Sequence, residues 1–404
     1  MGGSRFDVVV VGAGIIGLAV ARELQARRPG LEIAVVDKEP IVGAHQTGRS
    51  SGVVHRGVYY APGSLKARLC VDGAERLLAY CEERGIPVLH CGKVVVATTA
   101  EELPRLDELH RRSLANGVPD VELIDRDGLR ELEPHVAGLR AVHSPRTAVV
   151  DFSQVAAAYA DDVSAAGGEV LLGREVVGFA RRGGATVVET TGGELEAGRV
   201  VVCAGVHGDR LAALTGAPAE PRIVPFRGDY LVLKPERRHL VRGLIYPVPD
   251  PVFPFLGVHT TVRPDGEVWL GPNAVLALAR EGYRRRDVSV RDLRETVRSP
   301  GFRRLARRHW RTGVAETVRD LSVRSFVAAA RRLLPDLEAA DVLPGPAGIR
   351  AQALAPDGTL LDDFVFHEAQ GVVHVRNAPS PGATSSLAIA SVVADRVEAT
   401  APLR

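Results

Sequence analysis

Residues 7–37 constrain this chain more than any other stretch. DVVVV at 7–11 reads as a buried parallel strand, GAGIIG at 12–17 as a glycine turn, and residues 15–26 as a helix opening directly on that turn. EIAVVD at 32–37 is a second strand ending in an acid, which completes a βαβ unit. The spacing fits G-x-G-x-x-G with Asp37 twenty residues after Gly17, where a carboxylate accepts hydrogen bonds from an adenosine ribose. Gly12 makes the turn, Gly14 admits a pyrophosphate, and Gly17 lets the helix pack on the strand. The amides of Ile15 and Ile16, at the helix start, face the phosphates. A dinucleotide site is therefore expected, with Lys38 beside the ribose acid, but the motif alone does not separate FAD from NAD.

The rest of the chain favours FAD. A chain using NAD would continue directly into a second mononucleotide half. Here one βαβ unit is followed by a long insertion and a return strand at 199–203 that runs into Cys203, Ala204 and Gly205, the way FAD-binding two-dinucleotide folds are assembled. The 404 residues suffice for two or three domains. The expected fold is α/β, α+β overall: a Rossmann-like FAD-binding domain of discontinuous segments (1–90, 151–220 and 341–404) with an antiparallel β-sheet substrate domain (91–150 and 221–340). The second domain announces itself at 221–273, where prolines crowd between short alternating apolar runs. Residues 284–334 read as helical and arginine-rich, with Arg303, Arg304, Arg307, Arg308 and Arg311 forming either a solvated face or a contact for a partner, a lid or acidic lipid.

Composition removes other classes. Lys+Arg 51 against Asp+Glu 49 leaves a net +2, so no global field attracts nucleic acid. A 46% hydrophobic and 25% charged chain is globular rather than disordered or fibrous. Cys70, Cys81, Cys91 and Cys203 show neither a disulfide framework nor zinc spacing, so a reducing, cytoplasmic setting and no metal are expected. Residues 8–21 form an uncharged run of signal-peptide length, but its glycines sit at turn positions and Asp7 heads it. No stretch reaches the roughly 20 apolar residues of a bilayer span, so any membrane attachment would be peripheral.

The loop at 45–60, HQTGRSSGVVHRGVYY, is dense in glycines, hydroxyls and histidines and suits a path along a flavin. Together with PGSLKAR (62–68), HSPRT (143–147), PFRG (225–228), LIYPVPD (244–250), PFLGVH (254–259), GPNA (271–274), RAQ (350–352), DDFVF (362–366) and NAPSP (377–381), it resembles the L-2-hydroxyglutarate oxidase/dehydrogenase family of D-amino-acid-oxidase-like FAD oxidoreductases. The resemblance runs over nearly the whole chain. It implies FAD-dependent oxidation of a 2-hydroxy acid, L-2-hydroxyglutarate, to 2-oxoglutarate, with electrons passed to oxygen or a quinone. It also implies cofactor contacts at Thr47, Gly48, Ser50, Ser51, Val177, Ala204, Gly205, Gly348 and Ile349. Two positions depart from the family pattern. Arg49-Ser50 stands where His-Asn is usual, and His207 where an aromatic follows Cys-Ala-Gly-aliphatic. These changes leave the fold and redox class intact and keep open a related hydroxy acid or a secondary metabolite.

Oxidising a CH–OH carbon requires hydride transfer and removal of the hydroxyl proton by a group titrating near neutrality. His55, in the flavin loop, and His259, at a strand end in the proline-rich region, are expected to converge from opposite sides; His45 and His143 are lesser candidates. A dicarboxylate calls for planar cations, hence Arg227, Arg350 and Arg376, with Lys66 and the Tyr246 hydroxyl as further partners. Gly382, Ala383, Thr384 and Ser385 precede a helix at 387–393, and their amides and hydroxyls suit negative charge on a reduced flavin ring. An amine or amino-acid oxidase of the same fold would ask less of a histidine base, and a flavin-containing electron-transfer subunit would have no substrate.

Overall fold

The computed structural model describes residues 4–250 and 257–399, so positions 254–256 of the PFLGVH motif lie outside the described residues. Its first sheet runs in the order Val365–Ala369, Val372–Asn377, Gly193–Val202, Ser4–Val11, Ile33–Val36, Glu169–Leu171. The pairings from Val372–Asn377 to Glu169–Leu171 are parallel. Strands of this kind are covered on both faces, which explains the unbroken valine run. Val8 and Val10 pack against helices Ile15–Arg27, Phe152–Ala165 and Ser386–Ala399, while Val9 and Val11 pack towards the hairpin of Val176–Arg182 and Ala185–Thr190.

The return strand is longer than the expected 199–203. Gly193–Val202 pairs with Ser4–Val11 along one edge; on the other it pairs first with Ala185–Thr190 and then with Val372–Asn377. This parallel register carries Cys203 to the glycine turn, where its amide donates to the Val11 carbonyl at 2.8 Å.

Arg222–Leu233 is the spine of the second sheet. Val342–Leu354 pairs along one edge of it, from Arg222↔Leu354 to Leu233↔Val342, and Val268–Gly271 and Val275–Leu276 along the other. His259–Val262 adds outside Val268–Gly271, and every pairing is antiparallel. Two strands do not follow the sequence reading. Leu244–Pro247, from the proline-rich stretch, joins a different sheet and pairs in parallel with Lys93–Ala97. Val342–Leu354 heads the segment expected to return to the nucleotide fold, yet it is hydrogen-bonded along Arg222–Leu233. Its prolines and glycines, Pro344, Gly345, Pro346 and Gly348, disguise it as loop. The arginine-rich region forms helices Val290–Arg298, Pro300–Leu321 and Val323–Ala330, with a non-helical break at His309.

Candidate active site

A cavity of about 1060 Å³ runs from the glycine turn to the second sheet. At the nucleotide end the backbone leaves no freedom. Gly12 has φ 110°, and a Cβ there would lie 2.4 Å from the Cys203 carbonyl oxygen; one on Gly17 would lie 2.0 Å from the Gly12 oxygen. Gly14 differs. Its φ is −78° and a Cβ would meet only Thr47 Oγ1 at 3.5 Å, so the protein itself tolerates a side chain and the free space belongs to the cavity. Thr47 Oγ1 accepts from the Ile15 amide at 3.1 Å. Asp37 Oδ2 accepts from the Ala13 amide at 2.7 Å and Oδ1 from the Glu39 amide at 2.9 Å, which fixes the carboxylate at the turn with lone pairs still available to a ribose.

The flavin loop and the C-terminal helix start are joined through one hydroxyl. Thr384 Oγ1 accepts from the His55 amide at 3.1 Å and donates to the Val53 carbonyl at 3.2 Å. Ile16, Lys38, Ser50, Ser51, Val177, Ala204, Gly205, Gly348, Ile349, Gly382 and Ala383 also line the cavity. Gly17, Gly48 and Ser385 do not: Gly48 packs on the Gly43 carbonyl, and Ser385 lies under helix Leu65–Glu83, where a Cβ on Gly73 would come within 2.6 Å of its Cα.

At the far end the cavity is aromatic and cationic. His259 is 5% exposed and stacks on Tyr246 with centroids 3.9 Å apart; Tyr59 also stacks with Tyr246, at 6.3 Å. His259 Nδ1 lies 2.8 Å from the Gly257 carbonyl. A carbonyl only accepts, so Nδ1 carries the proton and Nε2 holds the lone pair. Burial, with Arg350 and Lys93 nearby, pushes His259 down to about 3. Burial, aided by Lys93, His259 and Lys66, also holds His55 well below the usual imidazole range. His55 Nδ1 and the Tyr59 hydroxyl are buried without a hydrogen-bond partner among the described residues. Arg350 completes this end, its guanidinium lowered by burial.

The three arginines separate on contact. Arg227 does not line the cavity; it bridges Asp229 at 3.1 Å and Asp320 at 3.0 Å. Arg376 reaches the wall but donates to the carbonyls of Pro218 and Pro221. Lys66 also lines the cavity, its Nζ 2.7 Å from Asp362. Of the lesser histidines, His45 lines the cavity, whereas His143 sits in the strand Arg140–Ser144 beside Glu122.

Both departures from the family pattern converge on one segment across the cavity. The Arg49 guanidinium lies over the Tyr283 ring, 3.9 Å from its centroid, and His207 Nε2 lies 2.8 Å from Glu281 Oε1. Lys38 Nζ reaches the same carboxylate at 2.7 Å, and these partners hold Glu281 down at about 2. Lys93, which the sequence reading does not single out, is not on the cavity wall but lies against the rings of Tyr59 and Tyr246, which are. It is 1% exposed, its Nζ has no hydrogen-bond partner among the described residues, and it lies 4.8 Å from the Tyr59 ring centroid and 5.1 Å from that of Tyr246. Burial pushes its ammonium down to about 8. The available signal was a lysine opening a strand of buried valines.

A glycine turn opening on a cavity, a carboxylate placed for a ribose beside it and a histidine-lined far end are the parts of a dinucleotide-dependent oxidoreductase. The chain belongs to the FAD dependent oxidoreductase family, whose model matches residues 7–396. It is 50% identical to L-2-hydroxyglutarate dehydrogenase, mitochondrial, of Nematostella vectensis, over 97% of this chain and 90% of that protein. The protein of the same name from Homo sapiens is 48% identical over 98% of this chain and 89% of its own length. Among solved structures, dithionite-reduced L-alpha-glycerophosphate oxidase from Mycoplasma pneumoniae with FAD bound shares the fold, with a TM-score of 0.80 at 22% identity over 98% of this chain and 94% of that one.

Proposed function

We propose that this protein oxidises L-2-hydroxyglutarate to 2-oxoglutarate with FAD as cofactor. The carrying observation is the juxtaposition of His259, Tyr246, Arg350 and His55 at one end of a dinucleotide-sized cavity; the identity to L-2-hydroxyglutarate dehydrogenases supports the substrate. The turn amides, Asp37 and the Gly382–Thr384 segment would hold FAD, which when bound supplies the acceptor for the hydride and hands electrons on to oxygen or a quinone. Arg350 binds one carboxylate of the substrate. His259 Nε2 is the acceptor for the hydroxyl proton, because its Nδ1 proton is held by the Gly257 carbonyl. The low basicity of both imidazoles comes first from burial and then from the nearby cations. A dianion entering the cavity reverses the sign of the nearby charge and raises proton affinity where the substrate hydroxyl sits. Tyr246 and Tyr59 keep water from that end.

Anaerobic bleaching of the flavin band near about 450 nm tests this, with L-2-hydroxyglutarate, its D-isomer, L-lactate, L-malate and a panel of amino acids. Rapid bleaching by the L-isomer alone is expected. Bleaching by an amino acid instead would overturn the substrate assignment.

A further inference from the structure

Helix Pro300–Leu321 has its polarity reversed. Beyond the break at His309, its inward face carries Glu316, 4% exposed, and Asp320, 7% exposed. Asp320 accepts from Arg227 at 3.0 Å and from Asn273 at 2.7 Å. The outward face carries Trp310, Val314, Val318 and Leu321, which are 59, 56, 55 and 67% exposed. Spacings of four, four and three residues put these side chains in one stripe along the helix. Helix Val290–Arg298, packed beside it, adds exposed Val290 and Val297. A surface helix ordinarily turns such a stripe to the core, and an apolar patch left in water marks an interaction surface.

Charge identifies the occupant. Residues 284–324 contain thirteen arginines against five acids. The acids are largely engaged inward: Asp292 and Glu295 with Arg210, and Asp320 with Arg227. Arg303, Arg307, Arg308 and Arg311 are exposed and flank Trp310. Guanidinium groups bordering a tryptophan and aliphatic stripe match phosphate groups above an acyl boundary. No helix among the described residues is long and apolar enough to cross a membrane, which leaves an interfacial geometry.

We propose that this outward face docks on anionic phospholipid. The inference is independent of the substrate assignment. It places the lipid surface one helix away from the second sheet, because the same helix engages Arg227 from its inner side.

Flotation of the FAD-loaded protein with phosphatidylcholine vesicles, with and without phosphatidylglycerol, tests the proposal. Flotation only with the anionic vesicles is expected. Combined Arg307→Glu, Arg308→Glu and Arg311→Glu should weaken partition by on the order of 10²-fold or more, since each arginine near the surface contributes roughly a factor of five. Combined Trp310→Ser and Val314→Ser should also release the protein, with its 310-dependent fluorescence shift on vesicle addition lost. Both variants should keep their bound FAD and their rate of bleaching by substrate. No flotation of the parent protein, or equal flotation of the arginine variant, would overturn the proposal. So would a dimer that dissociates in the Trp310 and Val314 variant without any vesicle binding, which would assign the face to a second copy.

Discussion

Replacing His259 by phenylalanine keeps a ring against Tyr246 while removing a proton site, and the consequence for stability can be worked out. An unfolded chain titrates this histidine at its ordinary 6.5, whereas burial holds the folded one at about 3. Below the unfolded value the unfolded state binds a proton that the folded state refuses, so stability is present above 6.5 and is lost as pH falls towards 3. The slope is about 1.36 kcal/mol per pH unit, which amounts to about 2 kcal/mol between about pH 7.5 and about pH 5. Other buried groups contribute a similar slope; His374 is pushed down to about 4. The test is therefore a difference. Urea unfolding of both proteins with excess FAD, at the two pH values, should show the wild type losing about 2 kcal/mol more than His259→Phe. Any constant effect of the substitution cancels. An identical pH dependence in the two proteins would mean that His259 protonates while folded, and would refute both its burial and its role as a neutral acceptor.

Gly14→Val should fold, since only Thr47 Oγ1 lies near the added Cβ at 3.5 Å, but it should purify without the flavin absorbance; a normal FAD content would contradict the pyrophosphate placement. Arg350→Met should raise the KM for the dicarboxylate by about 10²-fold or more with FAD content unchanged, and Arg350→Lys should recover only part of it, because a point charge lacks the planar fork; an unchanged KM would remove Arg350 from the substrate. Glu281→Gln breaks the contacts to Lys38 and His207 that cross the cavity, so FAD should dissociate a few-fold faster, read from recovered flavin fluorescence. An unchanged release rate would show that this segment does not retain the cofactor.

The nucleotide half of the site was legible because its geometry is local. Strand, turn, helix and acid lie within 31 residues, and Gly12 and Gly17 meet backbone on the return strand or a few positions away. The substrate half comes from distant segments. Lys93 meets Tyr246 through the parallel pairing of Lys93–Ala97 with Leu244–Pro247, and His259 stacks on Tyr246 from yet another sheet. Of the three arginines picked by chemistry, Arg350 and Arg376 line the cavity and Arg227 does not. Arg227 and Asp229 share a strand face two residues apart, which hinted at mutual neutralisation; the second carboxylate, Asp320, arrives from 93 positions away.

This distribution of acids bears on the chemistry. Arg227 bridges two carboxylates and Lys66 pairs with one, so neither brings an uncompensated charge to the substrate. Lys93 is different: it lies in a strand whose next same-side residue, Val95, is fully buried, and its ammonium, without a hydrogen-bond partner among the described residues, sits against the faces of Tyr59 and Tyr246. Isolated burial of a cation is costly unless negative charge arrives nearby. Arg350 on the cavity wall, with Lys93 behind the Tyr59 and Tyr246 rings, gives the far end a positive field that both lowers His259 and suits the carboxylates of a dicarboxylic acid. An amino acid would bring an ammonium into the same field, which disfavours amine oxidation on the same scaffold.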